Sequence, residues 1–356
     1  MISKQQKINS YDPNGLGQVD SGMYGLPFDE AECEIVIVPV PWEVTVSYGG
    51  GTAEGPGAVF EASYQVDLYD PVVKDAWKYG IHFDETNTEI REKSVQLREK
   101  AEACIALLAG EDTYLTQSDA DIFMMEIYEN CLWLNDWVKN RCLHFLRQNK
   151  TLGLLGGDHS TPLGMMQALA EHVGKFGILQ IDAHADLRDA YEGFHFSHAS
   201  IMYNALKIEQ VEKLVQVGIR DYCQEELDVI TGSNGRVKTF FDRDLKHAAY
   251  SGETWAESCD RIIAELPQHI YLSFDIDGLD PKLCPNTGTP VAGGFEAEQI
   301  LFLIEKIVKS GKKIVAFDIN EIAPDKNGDN DWDANVGARL LYRIANMVAM
   351  SQGKTV

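Results

Sequence analysis

Three short apolar segments of this chain each end in a cluster of acidic and imidazole side chains. The segments 152–155, 176–181 and 269–272 have the composition of buried strands. The clusters that follow are Gly-Gly-Asp-His-Ser at 156–160, Asp-Ala-His-Ala-Asp at 182–186 and Ser-Phe-Asp-Ile-Asp at 273–277. In an open α/β sheet, ligands bind beyond the carboxyl ends of the strands. We therefore expect the three clusters to meet at one edge of one sheet.

Apolar runs alternate with helical patterns along most of the chain, which predicts a parallel sheet with crossover helices. The predicted strands are 34–40, 151–155, 176–182, 213–219, 237–241, 269–275 and 312–318. The predicted helices include 161–172, 199–207, 254–266, 296–309 and 335–350. No internal repeat or low-complexity linker divides the 356 residues, so a single α/β domain over 1–356 is expected.

The charge of the chain limits what it binds. It has 55 acidic and 31 basic residues, a net charge of −24, whereas a nucleic-acid-binding surface needs a basic footprint. No apolar run approaches the length of a membrane span, about 18 residues, and no signal-peptide pattern opens the sequence. Seven scattered cysteines without a CxxC pair indicate reduced core thiols. We expect a cytoplasmic protein without nucleic-acid or membrane partners that attracts metal ions or a cationic substrate.

Two other regions have a distinct composition. The glycine-rich segment 49–57 fits neither GxGxxG nor a P-loop, and we interpret it as a pocket wall. Residues 88–149 form a long acidic-amphipathic helical stretch that contains Trp133 and Trp137. This helical elaboration is expected to pack on the sheet or on another subunit.

The spacing within the clusters suits a pair of divalent ions. The candidate ligands are His159, Asp182, His184, Asp186, Asp275 and Asp277. Alternate residues of an extended segment point to one face, so the ligands of each cluster converge. A carboxylate can bridge two ions, and a set of oxygens with imidazole favours manganese over zinc. Asp158 is interpreted as a helix N-cap or as a partner of a ligand, rather than as a ligand.

These clusters resemble the signatures of the ureohydrolases, the arginase and agmatinase family. The resemblance extends to Thr-Gly-Thr-Pro at 287–290, to Gly293 and Gly294, and to Asp-Ile-Asn-Glu-Ile-Ala-Pro at 318–324. It covers residues 34–70 and 150–350. It implies a three-layer αβα sandwich and two Mn²⁺ ions per chain. It also implies that hydroxide attacks a guanidinium carbon and releases urea.

The resemblance assigns roles to individual positions. One ion would be held by His159, Asp182, Asp186 and Asp275. The other would be held by Asp182, His184, Asp275 and Asp277, which makes Asp182 and Asp275 the bridging ligands.

Two further residues match the family's catalytic and substrate-binding positions. Glu321 matches the glutamate that pairs with the guanidinium, a planar cation that suits a bidentate carboxylate. His198 matches the histidine that carries protons, and it can protonate the departing amine. His195 is the competing candidate three residues away, but it matches no family position.

Residues 186–200 look most like the agmatinase branch. Arginases usually carry asparagine and small polar residues here, which grip the α-carboxylate and α-amino group of arginine. Their absence argues against arginase activity. The expected reaction is therefore hydrolysis of agmatine to putrescine and urea, a step of polyamine biosynthesis.

Arg188 admits two interpretations. Pointing into the pocket, it would repel the amine of agmatine and favour a guanidino acid such as guanidinobutyrate. Pointing outward, it would pair with Asp189 or Glu192, and this orientation is the expected one.

Trp42 and Glu43 lie where similar enzymes line the substrate entrance. Glu43 would either bind a terminal amine or face water.

Other classes of function use similar ligands. Two-metal phosphatases add basic residues to clamp phosphate, and Arg188 is the only basic residue beside the clusters. Related deacetylases keep one zinc ion and fewer carboxylates, and a non-catalytic metal-bound scaffold is a third alternative.

The family resemblance also predicts a homotrimer or homohexamer. The 88–149 helices are expected to form part of the contact between subunits.

Overall fold

The computed structural model describes residues 2–15, 17, 21–111 and 115–356. Its centre is a sheet of eight strands. They are β1 (Ile35–Val40), β2 (Ile81–Phe83), β3 (Thr151–Gly156), β4 (Phe176–Ile181), β5 (Val211–Val217), β6 (Val237–Phe240), β7 (His269–Asp275) and β8 (Lys313–Asn320). All strand pairs are parallel, in the order β2-β1-β3-β8-β7-β4-β5-β6.

Eleven α-helices lie in the described parts of the chain. They are α1 (Lys4–Ser10), α2 (Gly55–Ser63), α3 (Thr88–Leu108), α4 (Gln117–Arg147), α5 (Leu163–His172), α6 (Ile201–Ala205), α7 (Gln224–Gly232), α8 (Asp242–Tyr250), α9 (Trp255–Glu265), α10 (Ala297–Lys309) and α11 (Trp332–Ser351). Helices α2 and α8–α11 contribute to the core on one sheet face, and α3–α7 contribute to the core on the other. The fold is a three-layer α/β sandwich, as expected.

The predicted strands and helices are all present, with shifts of a few residues at their ends. The sequence reading missed β2, which has only three residues, and the short helices α1, α2, α7 and α8. The glycine-rich segment 49–57 was predicted to be a turn that forms a pocket wall, but its last residues, from Gly55, begin α2, and none of its residues lines the cavity over the candidate ligands. Proline is tolerated in the first turn of a helix, and Pro56 stands there.

The described part of the stretch 88–149, which leaves out 112–114, contains α3 and α4, and both helices pack on the sheet. Buried side chains such as Leu97, Leu134 and Val138 join the core beside β1 and β3, and Trp133 and Trp137 pack against its edge. Helix α4 begins with a capping box at Thr116.

The remaining composition-based expectations concern thiols and membrane spans. All seven cysteines are free thiols, and six of them are buried. Among the described helices, none combines the length and the apolar character needed to cross a membrane.

The four central strands place the clusters side by side. Strands β3 and β4 lead into helices on one face, whereas β7 and β8 lead into helices on the other. In the order β3-β8-β7-β4, the helices that follow neighbouring strands therefore switch from one face of the sheet to the other twice, between β3 and β8 and between β7 and β4. Such switch points open a crevice at the carboxyl ends of the strands.

A glycine at the end of β3 is required by packing. A Cβ at Gly157 would lie 2.0 Å from the carbonyl oxygen of Trp42. By contrast, a Cβ at Gly57, in the first turn of α2, would meet nothing within 4 Å. We predict that Gly157→Ala lowers the free energy of unfolding by about 2–4 kcal/mol, as overpacking does. Gly57→Ala, the matched control, should be neutral or stabilising by up to about 1 kcal/mol. Denaturant unfolding of both variants measures the difference, and equal stabilities would contradict the packing argument.

Candidate metal centre

The predicted ligands lie together at the carboxyl edge of the central strands. His159 follows β3, Asp182 follows β4 directly, Asp275 ends β7, and Glu321 follows β8 directly. All four side chains are buried. The expectation that the clusters meet at one edge of one sheet is correct.

One group of ligands surrounds the imidazole of His159. Its Nδ1 lies 3.1 Å from Oδ2 of Asp182, 3.1 Å from Oδ2 of Asp186 and 3.2 Å from Oδ2 of Asp275. Four ligand atoms thus converge on one small volume, with the spacing that one ion would fill. These are the four residues assigned to the first ion.

The second group surrounds His184. Its Nδ1 lies 2.9 Å from Oδ2 of Asp277 and 3.7 Å from Oδ1 of Asp182. Asp182 therefore presents one carboxylate oxygen to each group, the arrangement of a bridging ligand. Asp275 places its Oδ2 in the first group, and its Oδ1, like Oδ1 of Asp182, accepts a backbone hydrogen bond, here from the amide of Asp277 at 2.8 Å. The contacts of Asp182 fit the bridging position expected for it, and the bridging role of Asp275 stays a prediction.

Hydrogen bonds behind the ligands fix their orientation. Nε2 of His159 lies 2.9 Å from Oγ of Ser273, which donates to Oδ1 of Asp318 at 3.1 Å. Nδ1 of His159 and Oδ2 of Asp277 are buried without a hydrogen-bond partner. A divalent ion such as Mn²⁺ prefers imidazole nitrogen and carboxylate oxygen as ligands, so these two buried atoms without a partner fit such an ion.

The buried charges strongly favour cations. Burial and the neighbouring Asp182 raise the pKa of Asp186 to about 7. Burial opposes the charged form of the His159 imidazole, yet the surrounding carboxylates raise its pKa well above the usual value. Burial, together with Asp277, likewise raises the pKa of Asp275. The carboxylates thus repel one another until protons or metal ions neutralise them.

Asp158 lies outside both ligand groups. Its Oδ1 accepts hydrogen bonds from the amide and hydroxyl of Ser160, and its Oδ2 accepts one from the amide of Val44. Burial raises the pKa of Asp158 to about 6. Its side chain holds the turn after β3, in agreement with a supporting role.

A cavity of ≈ 240 Å³ opens over the ligands His184 and Asp186. His198 lines this cavity, and its pKa is lowered to about 4 by burial and by the imidazoles of His184 and His159. His195 does not line it; that side chain is exposed and lies near Tyr128 of α4. The structure therefore separates the two candidate histidines, and only His198 faces the ligands.

Arg188 also lines the cavity, so the expected outward orientation is wrong. Its Nε lies 3.9 Å from Oε2 of Glu226, and its guanidinium lies 4.8 Å from the ring centre of Tyr191. Of its two expected partners, Asp189 pairs with Lys207 instead. The short connection from Asp186 carries Arg188 to the cavity wall, where Glu226 balances its charge.

Glu321 lies beside the ligands rather than in the cavity wall. Its Oε1 accepts a hydrogen bond from the amide of His159 at 2.8 Å, and its backbone has a positive φ of 65°. Burial and the nearby Asp158 raise the pKa of the carboxyl well above its usual value. A Cβ at Gly288 would lie 3.1 Å from Oε2 of Glu321, so the glycine leaves room for this carboxylate.

Trp42 and Glu43 do not line the cavity, in contrast to the prediction. Trp42 is fully buried. Oε2 of Glu43 accepts hydrogen bonds from the amides of Gly51 and Ala53 and from the hydroxyl of Thr52. Glu43 thus shapes the glycine-rich loop, and Ser47 and Tyr48, just before that loop, contribute to the cavity wall.

Sequence reasoning missed several residues of the cavity wall, among them Asp221, Tyr222 and Glu226. Asp221 follows β5, whose neighbour β4 carries three ligands. The rule that strand ends meet at one edge applies to β5 as well, and it would have identified Asp221. Its carboxylate lies 3.9 Å from Nε2 of His184.

Comparison with known proteins identifies the family. The sequence profile of the Arginase family matches residues 33–346. The chain is similar to an N(1)-aminopropylagmatine ureohydrolase of Thermus thermophilus, with 29% identity over 92% of this chain and 94% of the relative. It is 28% identical to the agmatinase of Neisseria gonorrhoeae, over 95% of this chain and 94% of that protein.

A solved structure supports the fold. The agmatine ureohydrolase of Thermoplasma volcanium superposes with a TM-score of 0.68 and 20% sequence identity. The match covers 99% of this chain and 100% of that one.

The bridging geometry predicts how single ligands affect metal content. Asp182→Ala should remove both ions, because each oxygen of Asp182 faces a different group. Asp277→Ala should chiefly weaken one ion. Metal analysis after dialysis against manganese-free buffer gives the number of ions per chain. Loss of one ion from Asp182→Ala, or one ion in the fully active wild type, would contradict the two-ion arrangement.

The pKa of Asp186 predicts a pH-dependent effect on the metal-free protein. The folded pKa of about 7 exceeds the ordinary value of 3.8, so ionisation of Asp186 destabilises the fold as pH rises from about 4 to 7. Asp186→Asn removes this charge. In EDTA at pH 8 we expect it to be more stable than wild type by about 2–4 kcal/mol. Denaturant unfolding should show this difference in stability vanish toward pH 4. A difference that stays constant with pH would exclude the ionisation of Asp186 as its cause.

Proposed function

The chain belongs to the arginase family and is a ureohydrolase, and we propose that it hydrolyses agmatine to putrescine and urea with two Mn²⁺ ions. The observation that carries the proposal is the carboxylate of Asp182, with one oxygen directed at each ligand group below the cavity. When bound, a pair of manganese ions supplies Lewis acidity and lowers the pKa of water toward neutrality. The proposed ligands are His159, Asp182, His184, Asp186, Asp275 and Asp277.

The residues around the ligands have complementary roles in the proposed reaction. Glu321 offers its free oxygen Oε2 to the guanidinium, because its Oε1 is held by the amide of His159. A bound cation would stabilise the ionised form of this buried carboxylate. His198, with a lowered pKa of about 4, is neutral near pH 7. It can therefore take up a proton and pass it to the departing amine nitrogen.

The charge of the cavity supports a cationic substrate. Arg188 is the basic residue of the wall, and Glu226 and Tyr191 already engage it. Asp221 is an additional carboxylate whose side chain is 68% exposed, and it is available to a terminal amine. A carboxylate on the substrate would lack an unengaged partner, whereas an amine would meet Asp221.

A longer amine is the second candidate. The Thermus relative is named for N(1)-aminopropylagmatine. In this chain, Tyr48 and Tyr222 line the cavity and are 84% and 41% exposed, respectively. Aromatic faces beside Asp221 can stabilise a second ammonium group, so the mouth of the cavity suits a longer polyamine.

We also propose that residues 1–356 act as one catalytic domain in a cytoplasmic homotrimer or homohexamer. The support is an apolar surface on α4, where Ile122, Met125 and Leu132 are 60%, 61% and 41% exposed. Exposed apolar side chains on one helix face are typical of subunit contacts. The proposed product putrescine would place the enzyme in polyamine biosynthesis.

A substrate panel tests the proposal. Urea release from agmatine, N(1)-aminopropylagmatine, arginine, guanidinobutyrate, guanidinopropionate and guanidine would be compared as kcat/KM. We expect agmatine or its aminopropyl derivative to exceed arginine by about a hundredfold or more, because burying an unpaired carboxylate costs a few kcal/mol. Arg188→Met, which keeps the length of the side chain, should leave this order unchanged.

A preference for guanidinobutyrate would contradict the proposal. If Arg188→Met then abolished that preference, Arg188 would be the residue that binds the substrate carboxylate. Absence of urea from every guanidino compound, in protein that contains manganese, would exclude catalysis and favour a scaffold.

A further inference from the structure

A row of polar side chains crosses the sheet one layer below the metal ligands. Gln180 of β4 is in register with Gln216 of β5 on one side and Ser273 of β7 on the other. Gln216 is in register with Thr239 of β6, and Ser273 with Asp318 of β8. Residues two apart on a strand share a face, so this row lies directly beneath the ligands that end β4 and β7.

Hydrogen bonds connect one half of the row to the bridging ligand. Oγ1 of Thr239 donates to Oε1 of Gln216 at 2.7 Å, and Nε2 of Gln216 donates to Oε1 of Gln180 at 2.7 Å. Nε2 of Gln180 then donates to Oδ2 of Asp182 at 2.8 Å. Three side chains on three strands thus end at the carboxylate that faces both ligand groups.

Backbone carbonyls fix the direction of each amide. Nε2 of Gln216 also donates to the carbonyl of Ala185 at 2.7 Å, and Nε2 of Gln180 donates to that of His184 at 3.2 Å. Turning either amide over would bring its oxygen against a carbonyl oxygen. The N–H of Gln180 is therefore always presented to Asp182.

The location of these side chains is unusual for polar groups. Gln180 and Gln216 are fully buried. At the same level of the sheet, β1 and β3 carry the apolar residues Val38 and Leu154. Strands β5 and β6 supply none of the six predicted ligands, so ligation does not explain why they carry Gln216 and Thr239. Burying polar groups is unfavourable unless they are connected, and this connection leads to Asp182.

We propose that Gln180, Gln216 and Thr239 are positioning residues for the bridging carboxylate of Asp182. The inference rests on the proposed metal centre. The amide of His184 donates to Oδ1 of Asp182 at 2.6 Å, and Gln180 donates to Oδ2. The two donors fix the rotation of the carboxylate, so that each oxygen keeps a lone pair directed at its own ligand group. Gln216 and Thr239 act by holding Gln180 in place.

Gln216→Met is the first test, because methionine has a similar shape but neither a comparable donor nor a comparable acceptor. Manganese affinity would be measured by equilibrium dialysis, and the coupling between the two ions by EPR. We expect affinity to fall about tenfold or more, as with other partners of metal ligands, and the coupled spectrum to weaken. Gln268→Met is the matched control, since Gln268 is exposed and its side chain bonds only Gly311. Wild-type affinity and spectrum in folded Gln216→Met would overturn the inference.

Thr239 provides a second test that does not depend on a buried substitution. Thr239→Val removes the hydroxyl donor while keeping the shape, and Thr239→Ser keeps the donor. We expect the valine variant to bind manganese about threefold more weakly, the effect of one hydrogen bond, and the serine variant to match wild type. Equal affinities in both variants would overturn the inference, even if Gln216→Met did not fold.

These outcomes are distinct from failure of the proposed function. Wild-type protein that binds two manganese ions but releases no urea would refute the substrate assignment and leave the positioning row intact. Wild-type protein that binds no manganese pair would refute both.

Discussion

The buried carboxylates of the candidate metal centre repel one another, and the surrounding structure is organised to hold them together. Asp182, Asp186 and Asp275 lie within 3.2 Å of a single imidazole nitrogen, almost without solvent. Such a group of like charges is unfavourable unless cations neutralise it, so the fold and the cations are thermodynamically linked. Gln180 donates a hydrogen bond to Asp182, and the imidazole of His159 is held against Oγ of Ser273, so Asp182 and His159 keep their orientation toward one another.

The order of the strands makes this concentration of charge possible. Strands β3, β8, β7 and β4 are neighbours, although about 90 residues of sequence separate β4 from β7 and about 160 separate β3 from β8. Each strand delivers its polar residues at its carboxyl end, where the loops begin. The ligands therefore rest on rigid strand ends, whereas the cavity wall is built largely from loops.

Much of this arrangement is encoded locally, and that part could be read from the sequence. The long apolar strands and the ligand clusters have strong patterns, so seven of the eight strands and the meeting of His159 with Asp182 were predicted. Strand β2 has only three residues, too few for a pattern to emerge. The side-chain direction of Arg188 depends on Glu226, which lies in a distant helix. The sequence left the role of Glu43 open, and the structure gives it neither of the two expected roles, because burial and loop contacts are not visible in a local motif.

Arg188 stands two positions after the proposed ligand Asp186, and this proximity has a consequence for how the enzyme can diverge. The backbone that delivers Asp186 to the ligands also delivers residue 188 to the cavity wall. A change in one codon at 188 therefore alters the chemistry of the wall at a fixed distance from the ligands, without an insertion or a rearranged loop. Its counter-charge at Glu226 comes from a separate helix. New substrate preferences can thus arise through substitutions at 188 and 226, whose effects are coupled by this ion pair, without any change in the proposed ligands.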